Sequence, residues 1–139
     1  MKARVKWVEH AALINESGSG HAVVVDGSPD IGGRNVGPRP MELLLMSVAS
    51  CSTLDVIHIL RKARQPFTDV QVSAEGTRAD SDPKVFTAIH LHFTVHGQGL
   101  KEAQVRRAVE LSAEKYCSAS IMLKRGGCHV THSVELIIT

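Results

Sequence analysis

Aromatic side chains are scarce in this 139-residue sequence, at 4 % of positions, with one Trp, one Tyr and three Phe. That leaves little to stack on nucleobases. Charge of one sign is equally scarce: the formal net charge is +2, too small to argue for nucleic acid or an anionic membrane surface as partner. The three cysteines include no paired CxxC, so neither a disulfide framework nor a common zinc module is written in the spacing. There is no GxGxxG and no GxxxxGK[ST]; the stretch Gly32-Gly-Arg-Asn-Val-Gly-Pro38 precedes an apolar segment with no strand just before it, so it is not a nucleotide loop. The N-terminal MKARVKWVEH has no apolar signal core, so a cytoplasmic location is expected, with cysteines that are thiols at rest. Internal repeats and low-complexity segments are also missing, and the chain is expected to be one domain over 1–139, long enough for a hydrophobic core.

The most conspicuous absence is charge between Leu43 and Leu54. From Leu43 to Leu60 the polar positions are Ser47, Ser50, Ser52, Thr53, Asp55 and His58. A surface helix has an apolar stripe and a charged face; this one has no charged face until Asp55, so its first half calls for enclosure by other elements or by a second chain. Pro38 and Pro40 stiffen its start, Glu42 complements the positive end of the helix dipole, Arg61, Lys62 and Arg64 crowd its last turn, and Pro66 stops it. The run Leu43–Ala49 is too short to span a bilayer, and beyond it Ser50, Ser52, Asp55 and His58 interrupt the apolar sequence.

Around that helix the periodicities change. Lys2–Glu9 alternates as a half-buried strand, Leu13 and Ile14 mark a second, Glu16–Gly20 connects a hairpin, and Ala22–Val25 is a third strand. Ser28–Arg39 is a long polar loop, a length often functional in a compact domain. Val70, Val72 and Ala74, then Ile89, Leu91, Phe93 and Val95, alternate with polar residues as a hairpin with one buried and one wet face. Leu100–Tyr116 is predicted helical, Ser118 is a candidate cap for a short helix through Leu123, and Val130, Val134, Leu136 and Ile138 give a last strand. Strands and helices come in blocks, which predicts an α+β fold with a mainly antiparallel sheet.

The thiols carry the chemistry. Ser47, Cys51, Asp55 and His58 fall on one helical stripe; Asp55 would oppose a Cys51 thiolate and a protonated His58 would favour it. Cys117, beside Lys115 and Tyr116, would sit at the N-terminus of the short helix, where amides and the dipole lower a thiol pKa. For either cysteine the plain alternative is a packed thiol acting as a small hydrophobe. Arg34 and Arg39 could hold a thiolate or a polar oxygen, and Glu42 could fix an arginine, although nine residues separate Glu42 from Cys51 and place them on opposite sides of a straight helix. A solvated loop and a dipole-complementing Glu42 explain the same residues without a site. His90-x-His92-x-x-x-His96 and Cys128-His129-x-x-His132 look like zinc-ligand clusters; solvated histidines on a wet strand face account for them as well, and no metal and no cofactor is expected.

The loop feeding GRNVGPRPMELLLMSVASCSTLDV, a second cysteine in YCS about sixty-five residues later, and the strand–helix order together resemble the osmotically induced protein C and organic hydroperoxide resistance (OsmC/Ohr) family, and within it a small OsmC-like branch. The resemblance runs over essentially the whole chain. It implies an intertwined homodimer with the two central helices buried together and two sites at the subunit interface. It implies reduction of organic or inorganic peroxides through a sulfenic acid and a disulfide restored by a dithiol reductant, with Cys51 matching the attacking cysteine and Cys117 the resolving one. The family's glutamate, ten residues before the first cysteine, is Met41 here, with Glu42 one residue later; Arg34 and Arg39 are both candidates for its loop arginine, and Cys128 is an additional thiol. A dimeric small-molecule-binding protein of the same fold, without peroxidase turnover, is the alternative expectation.

Overall fold

The computed structural model describes all 139 residues. The chain forms two compact units, Met1–Leu44 and Leu45–Thr139. The first is an antiparallel meander of β1 (Ala3–Glu9), β2 (Ala12–Ser17) and β3 (Ala22–Val25). The β1–β2 turn, which the sequence left unmarked, is made by His10 at φ 48° with the Trp7 indole donating to its carbonyl at 2.8 Å. All seven residues of β1 are exposed, Trp7 at 66 %. This corrects the expectation of a half-buried strand: the meander leaves its apolar face uncovered.

After β3 the long loop is organised by one carboxylate. Asp26, 1 % exposed, accepts from the backbone N–H of Gly27 (2.9 Å), Arg34 (2.8 Å) and Val36 (3.2 Å). The Arg34 amide is foremost in holding this carboxyl below its ordinary range. Such bonds satisfy loop amides that would otherwise be buried without partners. The folded loop also demands glycine: a Cβ at Gly33 would collide with the carbonyl of Gly27.

The second unit holds most of α1 (Pro40–Lys62), then β4 (Phe67–Arg78), β5 (Phe86–Gly97), α2 (Glu102–Leu111), a π turn (Ser112–Tyr116), α3 (Ser118–Arg125) and β6 (His129–Ile137). The sheet order is β4-β5-β6. β4 and β5 pair antiparallel, with Val72 opposite Phe93 and Ser73 opposite His92. β6 runs parallel to β5, Phe93 opposite Val134, because the helical connection brings the chain back to the same end. One parallel crossover thus sits in an otherwise antiparallel α+β fold, a detail that block-wise reading of the elements passed over. Along β5, Ile89, Leu91, Phe93 and Val95 are buried while the intervening histidines are half-buried, as the period-2 pattern predicts. The core joins these side chains to Val48, Val56 and Leu60 of α1 and to Val105, Ala108 and Val109 of α2.

Helix α1 buries Val48, Ser52, Val56 and Leu60, one stripe at a spacing of four. Leu44, Met46 and Leu54 remain exposed, at 37 %, 46 % and 68 %. The C-terminal unit therefore does not by itself enclose Met46 and Leu54. With a mean hydropathy of 1.8 over 18 residues, α1 is long and apolar enough by composition to cross a bilayer, further than the run Leu43–Ala49 alone implied. A span would carry Asp55 into hydrocarbon, which is costly; here the Asp55 carboxylate accepts from the Ser112 hydroxyl at 3.3 Å.

Candidate functional site

The sequence predicts one helix over Leu100–Tyr116, but α2 ends at Leu111 and the next five residues widen into a π turn. The turn closes with the Cys117 N–H donating to the carbonyl of Ser112 at 2.8 Å. Single π turns within helices are frequent at functional sites. This one brings Ser112 and Cys117 against the same turn of α1. The Ser112 hydroxyl donates to the Ser52 carbonyl (3.3 Å) and to Asp55, and the Ser52 hydroxyl donates to Cys117 Sγ at 3.1 Å.

Cys117, and not Ser118, is the N-cap of α3: its sulfur accepts from the Ser120 N–H at 3.4 Å. Cys51 Sγ reaches the same helix terminus, where the Ala119 amide favours its thiolate. The sulfurs of Cys51 and Cys117 and a carboxylate oxygen of Asp55 all lie within 4.8 Å of one another. Two sulfurs at a helix N-terminus meet unpaired amides and the positive end of the dipole.

The two thiols are driven apart in acidity. Burial pushes the Cys51 thiol up, helped by its hydrogen bond to the Cys117 sulfur and by the negative charges of Cys117 and Asp55. At Cys117, which is 0 % exposed, burial also acts upward, but the Ser52 hydroxyl, the Ser120 N–H and hydroxyl, and the Cys51 thiol together outweigh it and hold Cys117 below the ordinary thiol range. Of the two, Cys117 is therefore the thiol that ionises more readily. Cys51 is the half-exposed member.

Two spaces are lined by residues that neighbour the pair. A cavity of about 10 Å³, room for a single water, is lined by Ser52, Ser112, Ser120 and His132 among apolar side chains. An open groove of about 360 Å³ is lined by Asp55, His58, Ile59, Lys62, Leu111 and Tyr116.

The remaining candidates are engaged elsewhere. Arg34 donates to Glu9 at 2.9 Å, and Arg39 to the Asn35 side chain at 2.7 Å and the Gly37 carbonyl at 3.1 Å. Glu42, third residue of α1, accepts from the Arg39 N–H at 3.0 Å, the reach-back half of a capping box. Of the histidines, His90 meets Thr131 (2.7 Å) and Ser133 (2.9 Å), and His92 meets Ser133 (2.7 Å). Cys128 is buried in the core, its thiol pushed up by that burial, the environment of an inert structural cysteine. Sequence reading missed Ser52, Ser112 and Ser120. A signal for Ser52 existed: a serine inside the stripe Val48–Ser52–Val56–Leu60 must find a partner.

A family model described as OsmC-like protein matches residues 32–133. The chain belongs to the OsmC-like family. "Protein YhfA" of Escherichia coli strain K12 is 46 % identical over 137 residues, covering 99 % of this chain and 98 % of YhfA. Among solved structures, a hypothetical protein of Aquifex aeolicus VF5 superposes with a TM-score of 0.82 at 29 % identity, over 98 % of this chain and 96 % of its own. An organic hydroperoxide resistance protein OsmC of Legionella pneumophila, described as a predicted redox protein, gives 0.73 at 20 % identity, over 96 % and 95 % of the two chains. At that identity the likeness is one of fold. The OsmC-like match spans both Cys51 and Cys117.

Proposed function

We propose that this OsmC-like chain, working as one functional domain over 1–139, is a cytoplasmic thiol-dependent peroxidase that reduces organic or inorganic hydroperoxides. The observation that carries the reading is the Cys51–Cys117 pair at the N-terminus of α3, one thiol half-exposed and the other buried, hydrogen-bonded and held below the ordinary thiol range. The Cys117 thiolate accepts the Cys51 proton. The Cys51 thiolate attacks the outer peroxide oxygen, the O–O bond breaks, and the departing alkoxide takes the proton back from Cys117, leaving an alcohol and Cys51 sulfenic acid. Cys117 then attacks the Cys51 sulfur; the S–S bond forms and hydroxide leaves as water on protonation. A dithiol reductant returns both thiols.

The name of the Legionella relative, an organic hydroperoxide resistance protein, points to the same chemistry. Exposed Leu44, Met46 and Leu54 on α1 support a homodimer in which a second copy covers that face. Peroxide consumption and intact mass test the reading together. One equivalent of an organic hydroperoxide is expected to remove two hydrogens, mapped to Cys51–Cys117, and Cys51→Ser to abolish both signals. Full consumption by Cys51→Ser overturns the proposal.

One observation favours a second reading, a dimeric small-molecule-binding protein without turnover: Met41 stands at the family's glutamate place, and Glu42 is occupied in capping α1. Rapid Cys51-dependent turnover disposes of it.

A further inference from the structure

We propose that Cys51, Cys117 and Asp55 form a binding site for a borderline-soft divalent cation of the zinc class, with the fourth position left to water. Two sulfurs and a carboxylate oxygen lie within 4.8 Å of one another. Around a tetrahedral zinc, sulfur at about 2.3 Å and oxygen at about 2.1 Å stand roughly 3.6–3.8 Å apart. Closing on the ion therefore asks for shifts of about an ångström, well within side-chain rotation. Sulfur donors exclude magnesium and calcium, and the carboxylate makes the set harder than copper(I) prefers.

The surroundings suit a metal site in two further respects. Metal-binding carboxylates are themselves oriented by hydrogen bonds, and Asp55 accepts from Ser112 at 3.3 Å. The Cys117 sulfur is oriented from two directions, by Ser52 at 3.1 Å and the Ser120 N–H at 3.4 Å. Asp55 also lines the open groove, which gives the fourth position access to water. For peroxide chemistry Asp55 is an obstacle, since its charge opposes a Cys51 thiolate; as the third ligand it has a use. The site differs from the histidine clusters suggested by sequence, whose His90 and His92 are bonded to hydroxyls.

Binding is written as Zn²⁺ plus the two thiols giving a zinc dithiolate and two protons. A hydroperoxide and two protons then convert the dithiolate to the disulfide, releasing Zn²⁺, alcohol and water; the sulfurs lose two electrons and the peroxide gains them. Metal and peroxide thus compete for the same sulfurs. The inference does not need the peroxidase reading, since it requires only reduced thiols.

The test is an anaerobic titration of reduced, chelator-treated full-length protein with Co²⁺, followed by Zn²⁺ competition against a chromophoric chelator. One Co²⁺ per chain, with thiolate-to-cobalt charge transfer, is expected. Ser112→Ala, which alters no ligand, is expected to weaken binding about tenfold, and Asp55→Asn to weaken it further, both with an unchanged far-ultraviolet dichroism spectrum. Cys128→Ser should bind like the parent. No charge-transfer band, Asp55→Asn and Ser112→Ala binding as tightly as the parent, or loss of the site in Cys128→Ser would each overturn the proposal. Failure here leaves peroxide consumption by the metal-free protein untouched, so the two ideas are separately testable.

Discussion

Replacing Ser52 by alanine removes a single hydroxyl, the one that donates to Cys117 Sγ at 3.1 Å in a site where Cys117 is fully buried. Hydrogen bonds to charged groups contribute about 1.5–3 kcal/mol. Sulfur is a weak acceptor, so the lower end, about 1.5 kcal/mol, applies. At about 1.4 kcal/mol per pKa unit, the lower of the two apparent pKa values of the thiol pair should rise by about one unit. The direction follows from the native arrangement: donors to the Cys117 thiolate depress its pKa, so their favourable effect is present at high pH and disappears as pH falls through the folded pKa. The assay is thiolate absorbance against pH for reduced, metal-free protein, in a Cys128→Ser background so that only the pair titrates. An unchanged pKa would refute the reasoning and leave Ser52 a packing role only.

Three further outcomes are expected. Leu54→Arg, at the most exposed of the apolar positions quoted on α1, should convert a dimer to a monomer by light scattering with an unchanged dichroism spectrum; a parent already monomeric at micromolar concentration would refute the dimer. Phe93→Ala, at a residue 1 % exposed within the core of the C-terminal unit, should cost about 3–5 kcal/mol in urea unfolding. His132 is held below the ordinary imidazole range by burial first and by the Lys124 charge next. The unfolded chain therefore takes up a proton that the folded chain refuses, and stability should fall as pH drops below about 6.5; His132→Gln should flatten that limb in urea titrations.

The parts of this structure legible in the sequence are those set by local pattern. The alternation Ile89-His90-Leu91-His92-Phe93 marks β5 because a strand shows opposite faces to core and water. Charge and proline bound α1 at both ends for equally local reasons. The parts that escaped are set by tertiary partners. The π turn depends on Ser112 meeting Ser52 and Asp55, residues far away in sequence. The exposure of β1 and of Leu54 shows that apolar alternation predicts a face to be covered without saying by what. Asp26 reads as a turn residue beside Gly27, yet it accepts three amides from its own loop. The site was legible at its sulfurs, which advertise reactivity by residue type, and illegible at its serines, whose hydroxyls acquire meaning only from the groups they touch. Arg34, Arg39 and Glu42 show the converse: polar residues with apparent catalytic character are bonded to Glu9, to Asn35 and Gly37, and to the Arg39 amide.

The π turn also constrains how this chain can change length. A wide turn carries one residue more than the α-helical path it replaces. Deleting any single residue from Ser112–Tyr116 would let α2 run on in ordinary register and would leave the hydrophobic core of α2, formed by Val105, Ala108 and Val109, in place. Four α-helical steps turn through nearly the same angle as the five steps of the π turn, so Cys117 would still arrive on the side of Ser52 and Cys51. The turn is therefore the place where this chain can lose a residue and keep its sulfur pair, whereas the same deletion within the regular turns of α2 would swing Cys117 about 100° around the helix axis.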